Sequence, residues 1–338
     1  MGGRAVVKKR GRGIGCNLYG IGYGFSRPDH SAAYIEVADD GTATILSGVC
    51  DMGQGSDTVL CQIAAEELGI AFEDVRIISA DTGVTPDALA STASRQTFVS
   101  GNAVKQAAAD VKRQLLLLAS ELMRCAPGDL GIKDGQVTCV GKPYTTMPFT
   151  QLAREAHQRG RRFVGFAWYD NTTADVDHDT NQGDAYATYI YATQVADVEV
   201  DTATGEITVL RVGAAHDCGK AVNPKNVEQQ IEGAVAQGVG YAIMEEVVLE
   251  NGRTTTPSFA KFLVPTSQDV PQVVTYIVED IDPNGPFGAK GVGEGAIIPT
   301  AAAIVNAVYD AIGVRIFDLP LTPEKILAAL AEKGQSVD

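Results

Sequence analysis

Residues 187–213, ATYIYATQVADVEVDTATGEITVLRVG, alternate apolar and polar side chains on both sides of Thr202–Gly205 and so read as a long β-hairpin. Asn226–Ile243 follows as a helix full of small residues, and VVTYIVED (273–280) as a strand. The first half has the same order. AAYIEVADDGTATILSG (32–48) is a hairpin turning at Asp39–Asp40–Gly41, Ser56–Leu68 has helical periodicity from a Ser start to a stop at Gly69, and VRIIS (75–79) is a strand. Around these, Asn102–Cys125 reads as a long helix, and QVTCVG (136–141), FVGFAWY (163–169) and EEVVLEN (245–251) as strands. Ile298–Ile312 is a helix with Pro299 in its first turn, and Thr322–Leu330 a last helix opened by the capping pattern TPEK. The chain is therefore read as an α+β (mixed α/β) protein of two related lobes. The polar stretch 170–184 supplies the boundary, giving a Gly-rich amino-terminal segment 1–30, a first lobe 31–184 and a second lobe 185–338.

Composition narrows the function. The 338 residues carry 27 Lys and Arg against 42 Asp and Glu, a net charge of −15. An acidic chain whose one concentrated basic stretch is Arg4–Arg12 is a poor nucleic-acid binder, because phosphate contacts need clustered cations. With 45% hydrophobic and 20% charged residues the chain can bury real cores, which excludes disorder as its main state. It has no apolar run of about 18 residues to span a membrane. The start, MGGRAVVKKRGRG, has no apolar core of the signal-peptide kind, so a cytoplasmic protein is expected. Six scattered cysteines without CxxC, and four histidines without HExxH, give no support for a disulfide scaffold, a zinc ribbon or an iron–sulfur cluster.

Glycine is the unusual number. The 36 glycines are about 11% of the chain against about 7% in average proteins, clustered between apolar runs. Glycine is required where backbone takes positive φ or closes on something. The standard phosphate frames fail: in the amino-terminal Gly-rich segment the last position of GxGxxG is Leu18 or Phe25, and Gly141–Lys142 and Gly219–Lys220 are followed by Pro143 and Ala221.

Four segments then hold the candidate chemistry. DMGQG (51–55) stands between a strand and a helix start, where Gln54 and the N–H groups flanked by Gly53 and Gly55 face an anion or heterocycle, or simply form a connection. STASRQT (91–97) precedes a helix with small hydroxyls that cap it or meet a ligand. DCGKAVNPKNVEQQIEGAVAQG (217–238) places Gln229, Gln230 and Gln237 on a helix of small residues, where a buried amide needs a partner or costs about 1–3 kcal/mol. PFGAKGVGEGAIIPTAAAIV (286–305) sets one carboxylate, Glu294, in a Gly-rich turn before an apolar helix, as a general base or a capping acid.

Taken singly, none of these is specific. In this order, DMGQG, the Ala–Ser pair of STASRQT, D-x-G-x-x-x-N-P with Q-x-E-G-x-x-x-Q-G (217–238) and G-x-K-x-x-G-E (288–294) resemble the molybdopterin-binding part of the molybdenum hydroxylases, the xanthine dehydrogenase family, from Gly11 to Leu330. The resemblance implies that fold and a molybdenum–molybdopterin cofactor, in bacteria its cytosine dinucleotide form, with a terminal sulfido or selenido ligand. Molybdenum would be held by the pterin dithiolene and by no protein ligand. It also implies that Gly53, Gln54, Gly55, Ala93, Ser94, Gln230, Lys290 and Gly291 bind the cofactor and that Glu294 is the catalytic base. Tyr19, in the amino-terminal segment, is taken as a substrate contact, or as an ordinary packing tyrosine.

Departures from the family pattern matter too. The iron–sulfur cysteine motifs, a flavin domain and the Gly-Gly-Phe-Gly-x-Lys segment are missing. The chain is therefore expected to be one piece of a split enzyme, resembling the medium molybdopterin subunit of the nicotinate dehydrogenases of anaerobic bacteria. The resemblance implies hydroxylation of nicotinate to 6-hydroxynicotinate with water as the oxygen source, and electrons passing through 2Fe–2S and FAD subunits to NADP. The implied partners are a large molybdopterin subunit, an FAD subunit and a 2Fe–2S subunit in a dimer of heterotetramers. Two alternatives stay open: a purine (xanthine) or other N-heterocycle hydroxylase, and a non-catalytic scaffold.

Overall fold

The computed structural model describes residues 8–335; residues 1–7 and 336–338, Arg4 of the basic stretch among them, lie outside the described residues. In chain order the elements are β1 (Lys8–Gly20), β2 (His30–Val37), β3 (Ala43–Ser47), α1 (Ser56–Leu68), β4 (Val75–Ser79), α2 (Gly101–Met123), β5 (Leu130–Lys133), β6 (Gln136–Cys139), β7 (Lys142–Pro148), α3 (Phe149–Gln158) and β8 (Phe163–Asp170). Then follow β9 (Tyr189–Asp201), β10 (Ile207–Asp217), α4 (Pro224–Ile243), β11 (Leu249–Glu250), β12 (Arg253–Thr254), β13 (Gln272–Val278), α5 (Ile298–Ile312) and α6 (Pro323–Gln335).

Two four-stranded sheets with the same strand arrangement but a differently connected fourth strand carry the fold, ordered β4-β3-β2-β8 and β1-β9-β10-β13. In each, an antiparallel hairpin (β2–β3, β9–β10) passes through a helix (α1, α4) and returns as a strand parallel to the hairpin's second arm. The fourth strand pairs antiparallel on the far side: β8 in the first sheet, β1 in the second. The repeat legible in the sequence is thus a repeat of strand arrangement. Each sheet buries one face under helices. Ile35 and Ile45 pack with Leu60, Leu115 and Leu118 in one core, and Val198 and Val212 with Ile231, Val239 and Ile304 in the other. Each such side chain contributes about 1.5–3 kcal/mol by leaving water.

The structure adds what the sequence concealed. Residues 8–20, read only as Gly-rich, form the strand β1. Its alternation is invisible because Gly11, Gly13 and Gly15 occupy the inward positions: a Cβ on Gly13 would lie 2.1 Å from the Ala307 amide nitrogen in α5. Strand and helix backbones approach too closely for any side chain, so the usual β-formers are absent. A wide helical turn, Gln96–Ser100, starts the long helix earlier than expected, and the short elements β5, β7 and α3 had no reading. EEVVLEN supplies only the two residues of β11. Cys125 and Cys139 are joined by a disulfide, against the expectation of none. Fourteen residues apart, they meet because β5 packs against α2 and pairs with β6, which carries Cys139. Gln229 and Gln237 are exposed on α4 and need no buried partner. No helix among the described residues is long and apolar enough to cross a membrane.

Candidate active site

A cleft of about 490 Å³ lies where the two halves meet. Its walls come from the β3–α1 connection, the loop before α2, the first turns of α4 and the turn before α5. Those four segments are the ones singled out in the sequence.

The β3–α1 connection is organised by a residue without an assigned role. Asp51 accepts from the N–H of Gly53 (2.8 Å) and Asp57 (3.1 Å), and more weakly from Gly55 (3.4 Å), capping the start of α1. Burial acts to raise the Asp51 carboxyl, but these N–H donors outweigh it and hold it below the usual range. Gly53 sits at φ 107° with nothing within 4 Å of where a Cβ would stand, and it lines the cleft with its N–H turned to Asp51. Gly55, at φ 81°, faces Asn226 at the start of α4. The Gln54 amide is tied inside the protein: it accepts from Met52 N–H (2.6 Å) and donates toward Cys50 O (2.9 Å), Ser56 Oγ (3.0 Å) and Gln96 Oε1 (2.7 Å). Gln96, absent from the sequence-derived set, donates in turn to Cys50 O (3.2 Å) and to Ser91 Oγ. Its signal is its position inside STASRQT, the segment that also holds the Ala–Ser pair.

Ala93 and Ser94 are consecutive non-glycine residues in the left-handed region, φ 53° and 52°. Such backbone costs about 1–3 kcal/mol per residue and needs external support. Arg95, wholly buried, gives it: the guanidinium donates to Asp29 Oδ1, His30 O and Ala88 O, each at 2.5 Å. The turn so held presents two groups to Glu294. Ala93 N–H donates to Glu294 Oε1 (3.0 Å), and Ser94 Oγ accepts from Glu294 N–H (2.9 Å).

The Glu294 turn is pinned from three strands. Asn17 on β1 donates to Gly295 O (3.0 Å), Gln194 on β9 to Ala296 O (2.6 Å), and His216 on β10 lies 3.4 Å from Gly291 O. Gly291 is required by closeness, since a Cβ there would stand 2.3 Å from Ser94 O. Lys290 lines the cleft, but its ammonium is spent on Asp217 (2.7 Å) and Asp280 (3.2 Å). Glu294 itself is exposed in the cleft, with Oε2 accepting from the Tyr19 hydroxyl and Oε1 within 3.4 Å of Thr92 Oγ1. Burial, then the hydrogen bond to Glu294, push the Tyr19 phenol well above its ordinary value. Burial likewise raises the neighbouring Cys218 thiol to about 12, so it stays a thiol.

The arrangement suits a polar heterocyclic cofactor. Gln230 and Asn226 line the cleft, and among the described residues no protein group is bonded to either side-chain amide. Neutral amides and the open space at Gly53 match a ring system rich in donors and acceptors. Among the described residues no group of three His, Cys, Asp or Glu could hold a metal ion.

A family model described as the molybdopterin cofactor-binding domain matches residues 2–271. The chain belongs to that family. It is 35% identical over 329 residues, 96% of this chain and 40% of the relative, to the 6-hydroxypseudooxynicotine dehydrogenase complex subunit gamma of Paenarthrobacter nicotinovorans. To the xanthine dehydrogenase molybdenum-binding subunit of Escherichia coli O157:H7 it is 33% identical over 322 residues, 94% of this chain and 42% of that one. The solved structure of quinoline 2-oxidoreductase from Pseudomonas putida 86 superposes with a TM-score of 0.87 at 31% identity, over 96% of this chain and 42% of that chain. Relatives of this molybdopterin-binding chain are therefore molybdenum subunits of the xanthine dehydrogenase family, and it spans about two fifths of their length. The α+β architecture expected from the sequence is the architecture observed.

Proposed function

We propose that this chain is the base-bearing piece of a molybdenum hydroxylase that adds oxygen from water to a carbon beside the nitrogen of an N-heterocycle, with nicotinate converted to 6-hydroxynicotinate. The observation that carries this reading is Glu294: a carboxylate open to the cleft, with Ala93 N–H on one oxygen and the Tyr19 hydroxyl on the other. The names of two relatives, for 6-hydroxypseudooxynicotine and for quinoline, support the substrate class.

When bound, the molybdenum–pterin group supplies the oxygen-transfer and two-electron chemistry. The chain's own residues bind and orient. Gln230, Asn226 and Gly53 line the cleft and would hold the pterin, while the Gln54–Gln96 pair and the Ala93–Ser94 turn would shape the wall beside it. Glu294 takes a proton on its carboxylate as general base, a contribution of about 10²–10⁴ in rate. The cofactor is read as the cytosine dinucleotide form with a sulfido or selenido ligand.

Partners complete the reading: a large molybdopterin subunit, and 2Fe–2S and FAD subunits that pass electrons to NADP, in a cytoplasmic dimer of heterotetramers. A compact monomer of 35.5 kDa exposes about 13,000 Å². This chain exposes 17580 Å², and exposed Phe166, Tyr34 and Ile78, with half-buried Leu46 between the last two, form a row that crosses all four strands of the first sheet. A surplus of surface with an apolar row on one sheet is what a piece of a larger assembly shows.

A second reading, hydroxylation of a purine, is favoured by the identity to a xanthine dehydrogenase subunit. Steady-state assays of the assembled enzyme with nicotinate and with xanthine decide between the two: kcat/KM should be higher for nicotinate. Glu294→Gln should keep the molybdenum content and lose turnover by about 10²–10⁴. Unchanged turnover removes Glu294 as the base, and unchanged values of both quantities favour a scaffold.

A further inference from the structure

We infer that Tyr19 is a positioning residue that fixes the Glu294 carboxylate, and that the backbone packing of β1 on α5 sets it there; the inference rests on the reading of Glu294 as base. The inward residues of β1 are odd-numbered. A Cβ on Gly11 would meet Ala307 O at 2.1 Å and Ala311 N at 2.4 Å. On Gly13 it would meet Ala307 N at 2.1 Å and Ala303 O at 2.3 Å, and on Gly15 Pro299 O at 2.2 Å and Ala303 N at 2.9 Å. Every two strand residues, about 6.7 Å, therefore correspond to four helix residues, about 6 Å, running toward the amino terminus of α5.

The next two steps leave the helix and enter the turn before it. Asn17 donates to Gly295 O at 3.0 Å, and the Tyr19 hydroxyl donates to Glu294 Oε2. The ruler has little slack, since strand and helix touch through backbone and no side chain can yield between them. From the opposite wall Ala93 N–H and Thr92 hold Oε1. Each carboxylate oxygen thus has its own donor, one from β1 of the second sheet and one from the loop before α2, and the plane of the group is fixed.

The phenol is a durable donor. Burial first, and then the bonded carboxylate, keep it protonated, and the neighbouring Tyr186 acts in the same direction. A hydroxyl proton directed at Glu294 is not available to a substrate acceptor, which separates this role from the direct substrate contact expected from the sequence.

The test uses Tyr19→Phe in the assembled, molybdenum-loaded enzyme. The expected result is unchanged molybdenum content, KM within about twofold, and kcat lowered about ten- to a hundredfold. A raised KM at constant kcat makes Tyr19 a substrate contact and overturns the inference, as do unchanged values of both. A readout without turnover is the ionisation of 3-fluorotyrosine placed at position 19, followed by fluorine NMR. It should move to lower pH in Glu294→Gln, and an unmoved titration overturns the inference. Failure of the base reading shows separately, as full turnover in Glu294→Gln whatever Tyr19→Phe does.

Discussion

Lys290 Nζ lies 2.7 Å from Asp217 Oδ2, with both side chains almost wholly shielded from water. The pair ties the start of the Glu294 turn to the end of β10. Burial works to lower the lysine, but the bonds to Asp217 and Asp280 more than offset it, so the ammonium is held above its ordinary 10.5. A raised cation contributes stability that is complete below the ordinary value and is lost as pH rises through the folded one. The pair should therefore stabilise uniformly through neutral pH and weaken only above about pH 10.5. Lys290→Met leaves Asp217 buried and unpaired and should cost about 3–5 kcal/mol at pH 7. Denaturant melts of both proteins from pH 7 to 11.5 measure this, and the gap between them should narrow at the alkaline end.

The sign reverses at Asp51. Burial raises its carboxyl, the N–H groups of Gly53, Asp57 and Gly55 lower it by more, and the net is a depressed carboxylate. Its stabilising contribution is present above the ordinary 3.8 and disappears as pH falls through the lower folded value. Asp51→Ala should cost about 1 kcal/mol at neutral pH, the usual loss of a helix cap. Melting curves between pH 2 and 7 should show wild type and variant converging at the acid end.

The two sheets illustrate what a sequence can and cannot disclose. Hairpins β2–β3 and β9–β10 were legible because one face of each is buried and the side chains alternate accordingly. The strand β1 was not, since its buried face consists of Gly11, Gly13 and Gly15, which carry no hydrophobic signal. The site divides in the same way. Gln54, Ser94, Gln230 and Glu294 stand in recognisable motifs and do converge on the cleft. Arg95 and Gln96 act through hydrogen bonds to the His30 and Cys50 carbonyls, distant in sequence, and no spacing rule encodes such partners; Asp51 works locally, on the N–H groups two to six residues ahead of it. The bond from Tyr19 to Glu294 spans 275 positions and follows only from how β1 lies along α5.

Glycines of opposite kind give a paired prediction. A methyl group on Gly13 would stand 2.1 Å and 2.3 Å from backbone atoms of α5, which cannot move without parting strand from helix. Gly13→Ala should destabilise by several kcal/mol and loosen Tyr19 from Glu294. Gly233, inside α4, has nothing within 4 Å of its missing Cβ. Gly233→Ala should instead stabilise by about 0.5–1 kcal/mol, the helix-propensity gain. Circular-dichroism melts of the two variants should shift in opposite directions.

Arg95 and Asp29 form the most deeply buried ion pair described in the molecule, both side chains at 0% exposure. The guanidinium satisfies its fork on Asp29, His30 O and Ala88 O, while Asp29 also receives Tyr23 N–H and the Asn171 amide. Arg95→Met would strand Asp29 without its cation and orphan two carbonyls, at a cost of about 3–5 kcal/mol. Arg95→Lys keeps the charge but replaces a planar fork by a point donor, so it should fold with a smaller loss. The surviving lysine variant is the informative one. Without the fork, the left-handed Ala93–Ser94 turn loses the support that offsets its backbone strain, and both its contacts to Glu294 depend on that turn. Arg95→Lys should therefore lower kcat more than it lowers thermal stability, with molybdenum content reduced in parallel because the same loop walls the cleft. Metal analysis and single-turnover rates on the assembled variant measure both. Wild-type values in each would show that the turn holds its shape without the buried arginine.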